Sequence, residues 1–229
     1  MERFRQTAYS VLTMVAALVS LLVVSACEHD FYETGDSELS YLHTDFVEAR
    51  TNELGAFVSA KTDDGEELTL SPAVKEQWAT RPDTTYRALL YYDRVEKGVT
   101  TSFALNPVLV LRPHLTFDLA SVSTDPLGFE SLWMSKNRKY LNLTLVLKSG
   151  QTDDKKSIQS LALVCDSIRK QASGGRKFYL RLCHSQNRVP EYYSKRVYTS
   201  IPLTGLTPND VLCLDINTYK GMVRKEVVY

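Results

Sequence analysis

From Tyr140 to Leu147 the chain alternates strictly. Leu141, Leu143, Leu145 and Leu147 occupy every second position, with Asn142 and Thr144 between them. A helix would scatter these four leucines around its circumference, whereas a strand places them all on one face. The segment therefore demands a sheet with a buried side, and the rest of the chain repeats the demand. Extended runs are read at Ala56–Ala60, Glu67–Leu70, Tyr86–Val95 and Phe103–Leu111. Beyond residue 125 they recur at Ser157–Cys165, Lys177–His184, Arg196–Ile201, Val211–Tyr219 and Met222–Val228. Only Val74–Thr80, which contains Trp78, invites one or two helical turns. The expected class is all-β.

Turn residues divide these strands into two groups. Asp63-Asp64-Gly65 between extended runs is a hairpin signal, because Asp-Gly favours the left-handed conformations that tight turns need. Asn106-Pro107 predicts a bulge or an edge, since proline cannot donate to a ladder. The Asp125-Pro126-Leu127-Gly128 joint coincides with a change in charge. Residues 28–124 hold 8 basic against 17 acidic side chains, a net of −9, and residues 125–229 hold 17 against 9, a net of +8. A small closed OB-like barrel is expected over residues 39–124, and an antiparallel β-sandwich over 125–229. The opposite charges give two solvated surfaces that attract each other, or else a basic face for an anionic partner.

The N-terminus sets the compartment. Arg3 and Arg5 precede an apolar stretch from Ala8 to Val24, and Val24-Ser25-Ala26-Cys27 follows as a lipobox. Residues 1–26 are read as a lipoprotein signal peptide, Cys27 as the lipidated residue and 27–38 as a tether. An uncleaved membrane helix fits less well. The apolar stretch has 17 residues, Tyr9, Ser10, Thr13 and Ser20 interrupt it, and Glu28-His29-Asp30 replaces a basic flank. The expected location is the cell envelope, on the periplasmic or surface face of the outer membrane, with the lipid anchor as the membrane contact. Nucleic acid is not an expected partner there. With Cys27 acylated, Cys165, Cys183 and Cys213 remain in apolar runs, an odd number without CxxC spacing, and buried thiols are the default.

Catalytic signatures are missing: HExxH, GxSxG, P-loop and GxGxxG do not occur. Ser167-Ile168-Arg169-Lys170 matches SxxK but adjoins a strand, and Ser and Lys need a helical turn to meet. His29, His43, His114 and His184 lack the spacing of a metal set. No enzyme activity, cofactor or metal is expected. Aromatic pairs (Tyr91 with Tyr92, Tyr192 with Tyr193) and the two tryptophans are candidate stacking platforms, although packing is their commoner role in strands. The loop Gln186-Asn187-Arg188-Val189-Pro190-Glu191-Tyr192-Tyr193 combines polar, basic and aromatic groups. Gln186, Arg188, Tyr192 and Tyr193 are therefore the predicted contact residues.

Several segments together resemble the NigD-like lipoproteins of Bacteroidota. They are the lipobox, Leu39-Ser40-Tyr41, Leu54-Gly55-Ala56-Phe57, the Asp64-Gly65 turn, Asp125 through Ser131, Tyr140-Leu141-Asn142-Leu143 and the stretch from His184 to Tyr192. The resemblance implies an OB-like N-terminal domain and a C-terminal β-sandwich, and it brings no catalytic residues. A binding protein of the cell envelope is expected, with a glycan or an envelope protein as partner. The family name derives from a bacteriocin gene cluster, which implies as the alternative an immunity-type or inhibitory lipoprotein that neutralises a bacteriocin or hydrolase.

Overall fold

A computed structural model describes residues 41–115, 123–152, 157–172 and 174–229. Residues 1–26, read as a signal peptide, and 27–38, read as a tether beginning at Cys27, lie outside the described residues. Among those described, every regular element is a strand.

Six strands form the first sheet. They are β1 (His43–Thr51), β2 (Phe57–Thr62), β3 (Glu67–Val74), β4 (Thr85–Tyr92), β5 (Val99–Thr100) and β6 (Ser102–Pro107), in the order β5-β3-β2-β1-β4-β6. The sheet curls around Val47, Ala49, Phe57, Leu68, Ala88, Leu90 and Leu105, all buried. It is a half-barrel, since no ladder joins β3 or β5 to β6. An aromatic bridge spans the gap instead. Trp78 packs 5.2 Å from Phe57 and 5.5 Å from Tyr86, and its indole N–H donates to the carbonyl of Leu105 at 3.2 Å. That packing accounts for the one helical expectation that fails. Val74 still pairs with Phe57 as a strand, and Gln77-Trp78 is a turn that carries the indole beneath the sheet.

Two further sheets face each other. One runs β7-β13-β10-β9, from β7 (Leu109–Val110), β13 (Tyr193–Pro202), β10 (Tyr140–Ser149) and β9 (Gly128–Met134). The other runs β15-β14-β12-β11-β8, from β15 (Gly221–Val228), β14 (Val211–Thr218), β12 (Arg176–Ser185), β11 (Ser160–Lys170) and β8 (Pro113–Leu115). Leu141, Leu143 and Leu145 are fully buried between them and meet Leu163, Leu180, Leu214 and Ile216. The long neighbours are mostly antiparallel, as expected. Three pairs are parallel: β12 with β14, β11 with β8 and β13 with β7. The short strands β7 and β8 cause two of these by reaching into the sandwich from the N-terminal side. The change of sheet therefore falls between Pro107 and Leu109, earlier than the change of charge near residue 125. Backbone pairing sets this boundary, and Leu109–Leu115 carry only the charge of Arg112.

Asp210 fastens one end of the sandwich. Its buried carboxylate accepts the Thr207 N–H (2.8 Å), the Arg176 N–H (2.7 Å) and the Arg176 guanidinium. Gly175 lets the two turns close, because its φ is +80° and a Cβ there would lie 2.4 Å from the Asn209 carbonyl oxygen. The Arg176 hydrogen bond, with help from the backbone donors, holds the Asp210 carboxyl far below the usual carboxylate range despite its burial. A folded-state value below the unfolded one adds stability that is fully present above about pH 4 and is lost as pH falls toward the folded value. Asp210→Asn removes that contribution. Urea unfolding should therefore find the variant less stable at pH 7, with the gap to wild type narrowing steadily below about pH 4.

Candidate functional site

Alternation builds the site. On β1 and β4, Val47, Ala49, Ala88 and Leu90 face the half-barrel core, so Phe46, Glu48, Arg87 and Leu89 face the other way. On β10 and β13, Leu141, Leu143 and Ile201 face the sandwich core, leaving Tyr140, Asn142, Tyr198 and Ser200 on the opposite face. These two outward faces press together, and the seam between them is polar and aromatic.

Arg87 crosses the seam with its side chain only 2% exposed. It donates to both carboxylate oxygens of Asp63, at 2.8 and 2.7 Å, to Asn142 Oδ1 at 3.1 Å and to Ser200 Oγ at 3.2 Å. Asn142 donates to Asp63 at 2.8 Å, and the Ser200 hydroxyl donates to Asn142 at 2.7 Å. The guanidinium also lies 4.0 Å from the ring centre of Tyr140 and 5.3 Å from that of Phe46. Two ion pairs flank it: Lys136 to Asp64, and Lys139 to Glu48. Burial alone would raise the Glu48 carboxyl, but bonds from Lys139 and Tyr140 bring it below its ordinary range. Burial, followed by the bond to Glu48, pushes the Tyr140 hydroxyl up to about 12, so it stays a donor across physiological pH.

Beside this cluster lies a cleft of about 420 Å³, lined by Asp45, Phe46, Asp64, Trp133, Lys136 and Tyr198 among others. Phe46 stands edge-on to Trp133 (5.4 Å, 81°) and to Tyr198 (5.7 Å, 85°). Trp133 is 37% exposed, so part of its indole is open to a ligand. Carboxylates and an ammonium around an accessible aromatic wall can bond hydroxyl groups while the ring covers an apolar face.

The residues predicted from sequence fall elsewhere. Cys27 lies outside the described residues. Gln186 is occupied internally, its side-chain amide donating to the carbonyls of Lys148 (2.9 Å) and Val189 (2.8 Å). Arg188 is exposed with φ +61°, and Tyr192 and Tyr193 are 81% and 57% exposed. The structure thus separates Gln186, which shapes the loop, from three side chains that face solvent, and none of the four lines the seam cleft. Tyr92 is buried and donates to Asp45 at 2.8 Å. Ser167 and Lys170 lie along β11, opposite Tyr179 and Arg176, without the helical turn that an SxxK pair needs. Cys165, Cys183 and Cys213 are buried, and burial is the main cause that raises each thiol above its ordinary value. His184 is buried with Nδ1 3.3 Å from the Asp125 carbonyl oxygen, and among the described residues no three His, Cys, Asp or Glu side chains are grouped to hold a metal.

Solved structures share this arrangement. A NigD-like immunity protein from Bacteroides caccae superposes with a TM-score of 0.63 at 23% identity, covering 81% of this chain and 96% of that one. The chain has the NigD-like fold. A protein of unknown function from Bacteroides vulgatus follows at a TM-score of 0.60 and 16% identity, covering 82% and 90%. A Bacteroides fragilis protein provisionally named a lipoprotein gives 0.54 at 11% identity, covering 81% and 96%. No family model matches the chain, and no curated protein does. The NigD-like fold accounts for the half-barrel and the sandwich.

Sequence reasoning singled out the Asp63-Asp64-Gly65 turn and Trp133 but missed Arg87, Phe46 and Tyr198. Arg87 left one signal, a cation in an otherwise apolar or aromatic strand, Tyr86–Tyr92. Removing one partner of a buried ion pair strands the other, so Arg87→Ala should destabilise the protein by about 3–5 kcal/mol in urea unfolding. The loss should be smaller when Asp63→Asn is already present.

Proposed function

We propose that this chain is a lipid-anchored cell-envelope protein that binds a partner and does not catalyse, and that the seam cleft is its binding site for a glycan. The part-exposed indole of Trp133 carries this reading. A sugar ring can stack on it while Asp45, Asp64 and Lys136 bond the hydroxyl groups, which is how one apolar face and a polar rim are matched together. The exposed Arg188, Tyr192 and Tyr193 offer a second surface, suited to an envelope-protein partner. The lipobox at Cys27 supports placement at a membrane, with the outer membrane as the expected one.

A second reading is an immunity-type or inhibitory lipoprotein that neutralises a bacteriocin or hydrolase. The fold likeness to the Bacteroides caccae immunity protein favours it. Deleting the gene would then sensitise cells to a cognate toxin, which glycan binding alone would not explain.

Titration of the purified protein with envelope oligosaccharides should change its tryptophan fluorescence saturably. Trp133→Ala should weaken binding measured by calorimetry about tenfold or more, the loss of one good stacking contact with its burial. Undiminished binding by that variant would remove the groove from the account. For the anchor, clickable palmitate should label the wild-type protein in cells and leave Cys27→Ser unlabelled.

A further inference from the structure

We propose a second binding site, on the opposite flank of the seam, that takes a small anionic group of the phosphate or carboxylate class. A cleft of about 380 Å³ there is lined by Arg112, Arg138, Lys139, Tyr140, Thr204 and Tyr229, with Glu48 at its inner edge. Three cationic side chains line the cleft with one side-chain carboxylate, and that carboxylate is already engaged by Lys139 (2.7 Å) and the Tyr140 hydroxyl (2.9 Å). Arg112 and Arg138 have no carboxylate within ion-pair distance among the described residues. Four sandwich arginines, Arg176, Arg181, Arg196 and Arg224, are each paired with an aspartate or glutamate. Arg112 and Arg138 are not, and the cleft brings their two guanidiniums and Lys139 to one place.

The cleft is also held in shape before any ligand arrives. Arg138 has φ +57°, a left-handed conformation that costs free energy for a residue with a side chain. The turn around it is pinned. The Ser135 hydroxyl donates to Asn137 Oδ1 at 2.8 Å, that oxygen also accepts the Lys139 N–H at 3.0 Å, and the Asn137 N–H reaches the Asp63 carbonyl at 2.9 Å. The Leu203 N–H bonds the Lys139 carbonyl at 2.9 Å, tying the opposite wall to the same turn. The Arg138 guanidinium lies 4.8 Å from the centre of the Tyr229 ring, which limits its freedom while leaving its N–H edges available. A planar fork held in this way, with the Arg112 guanidinium beside it, suits a tetrahedral or planar oxyanion, and Thr204 adds a hydroxyl to the lining. This site stands independently of glycan binding at the other flank.

The test uses the full chain in neutral detergent micelles, titrated calorimetrically with inorganic phosphate, with glucose 6-phosphate, and with micelles doped with phosphatidylglycerol. Saturable binding is expected, weakened about tenfold or more in Arg112→Gln/Arg138→Gln, as loss of charge-assisted hydrogen bonds requires. Each single substitution should give part of that loss, which covers the case in which the double variant folds poorly. The control Lys195→Gln/Lys220→Gln removes the same charge from β13 and from the turn between β14 and β15, and should bind like wild type. Binding of the doped micelles alone would support the site and assign the anion to a lipid headgroup, and binding of the soluble probes would assign it to a free ligand. Equal weakening in the control pair, or no binding of any probe, would overturn the proposal.

Discussion

A guanidinium withdrawn from water holds two cores together. Arg87 belongs to the half-barrel by its backbone and to the seam by its side chain, where Asp63, Asn142 and Ser200 absorb its donors. Desolvating an arginine costs several kcal/mol unless its hydrogen bonds are replaced. The replacements come from a hairpin turn of the first sheet and two strands of the second. Any slippage between the two would strand that charge, so the cluster fixes one relative placement more strictly than apolar contact could. Both clefts depend on this. They are the two flanks of a seam whose centre is already occupied.

The flanks differ in character because the two sheets contribute different side chains to each. On one side Phe46, Trp133 and Tyr198 form an aromatic wall beside Asp45 and Asp64. On the other Arg112, Arg138 and Lys139 dominate. The uneven charge of the two halves of the sequence is partly consumed at the seam, where Lys136 and Lys139 meet Asp64 and Glu48. Exposed pairs of this kind contribute little to stability, about 0–1 kcal/mol each. Their effect is to cancel charge locally, leaving Arg138 of the basic half beside Arg112 of the acidic half in the second cleft.

In this chain the NigD-like fold frames a polar and aromatic seam between its half-barrel and its sandwich. Its sheets follow from apolar periodicity, which many sequences can satisfy. Its clefts follow from the residues that point away from the two cores, which packing constrains far less. Likeness of fold therefore carries over to the architecture, while ligand choice must be argued from Trp133, Arg138 and their neighbours.

What the sequence determined by itself was the period-2 rhythm. Leu141 to Leu147 dictated a strand with one apolar face, Asp63-Asp64-Gly65 a hairpin, Asn106-Pro107 an edge, and the sum an all-β protein with a barrel-like part and a sandwich. Local chemistry is enough for such features, because each depends on neighbours within a few residues. The tertiary structure decided the rest. It made Val74–Trp78 a strand end and a turn, because the indole packs on Phe57 and reaches Leu105. It assigned Leu109–Leu115 to the sandwich through parallel pairing, which leaves no mark on composition. It also chose, among thirteen tyrosines and two tryptophans, which rings line a cleft. Arg87 and Ser200 are 113 residues apart, and no local pattern encodes their meeting. Only the docking of two independently formed faces brings them together.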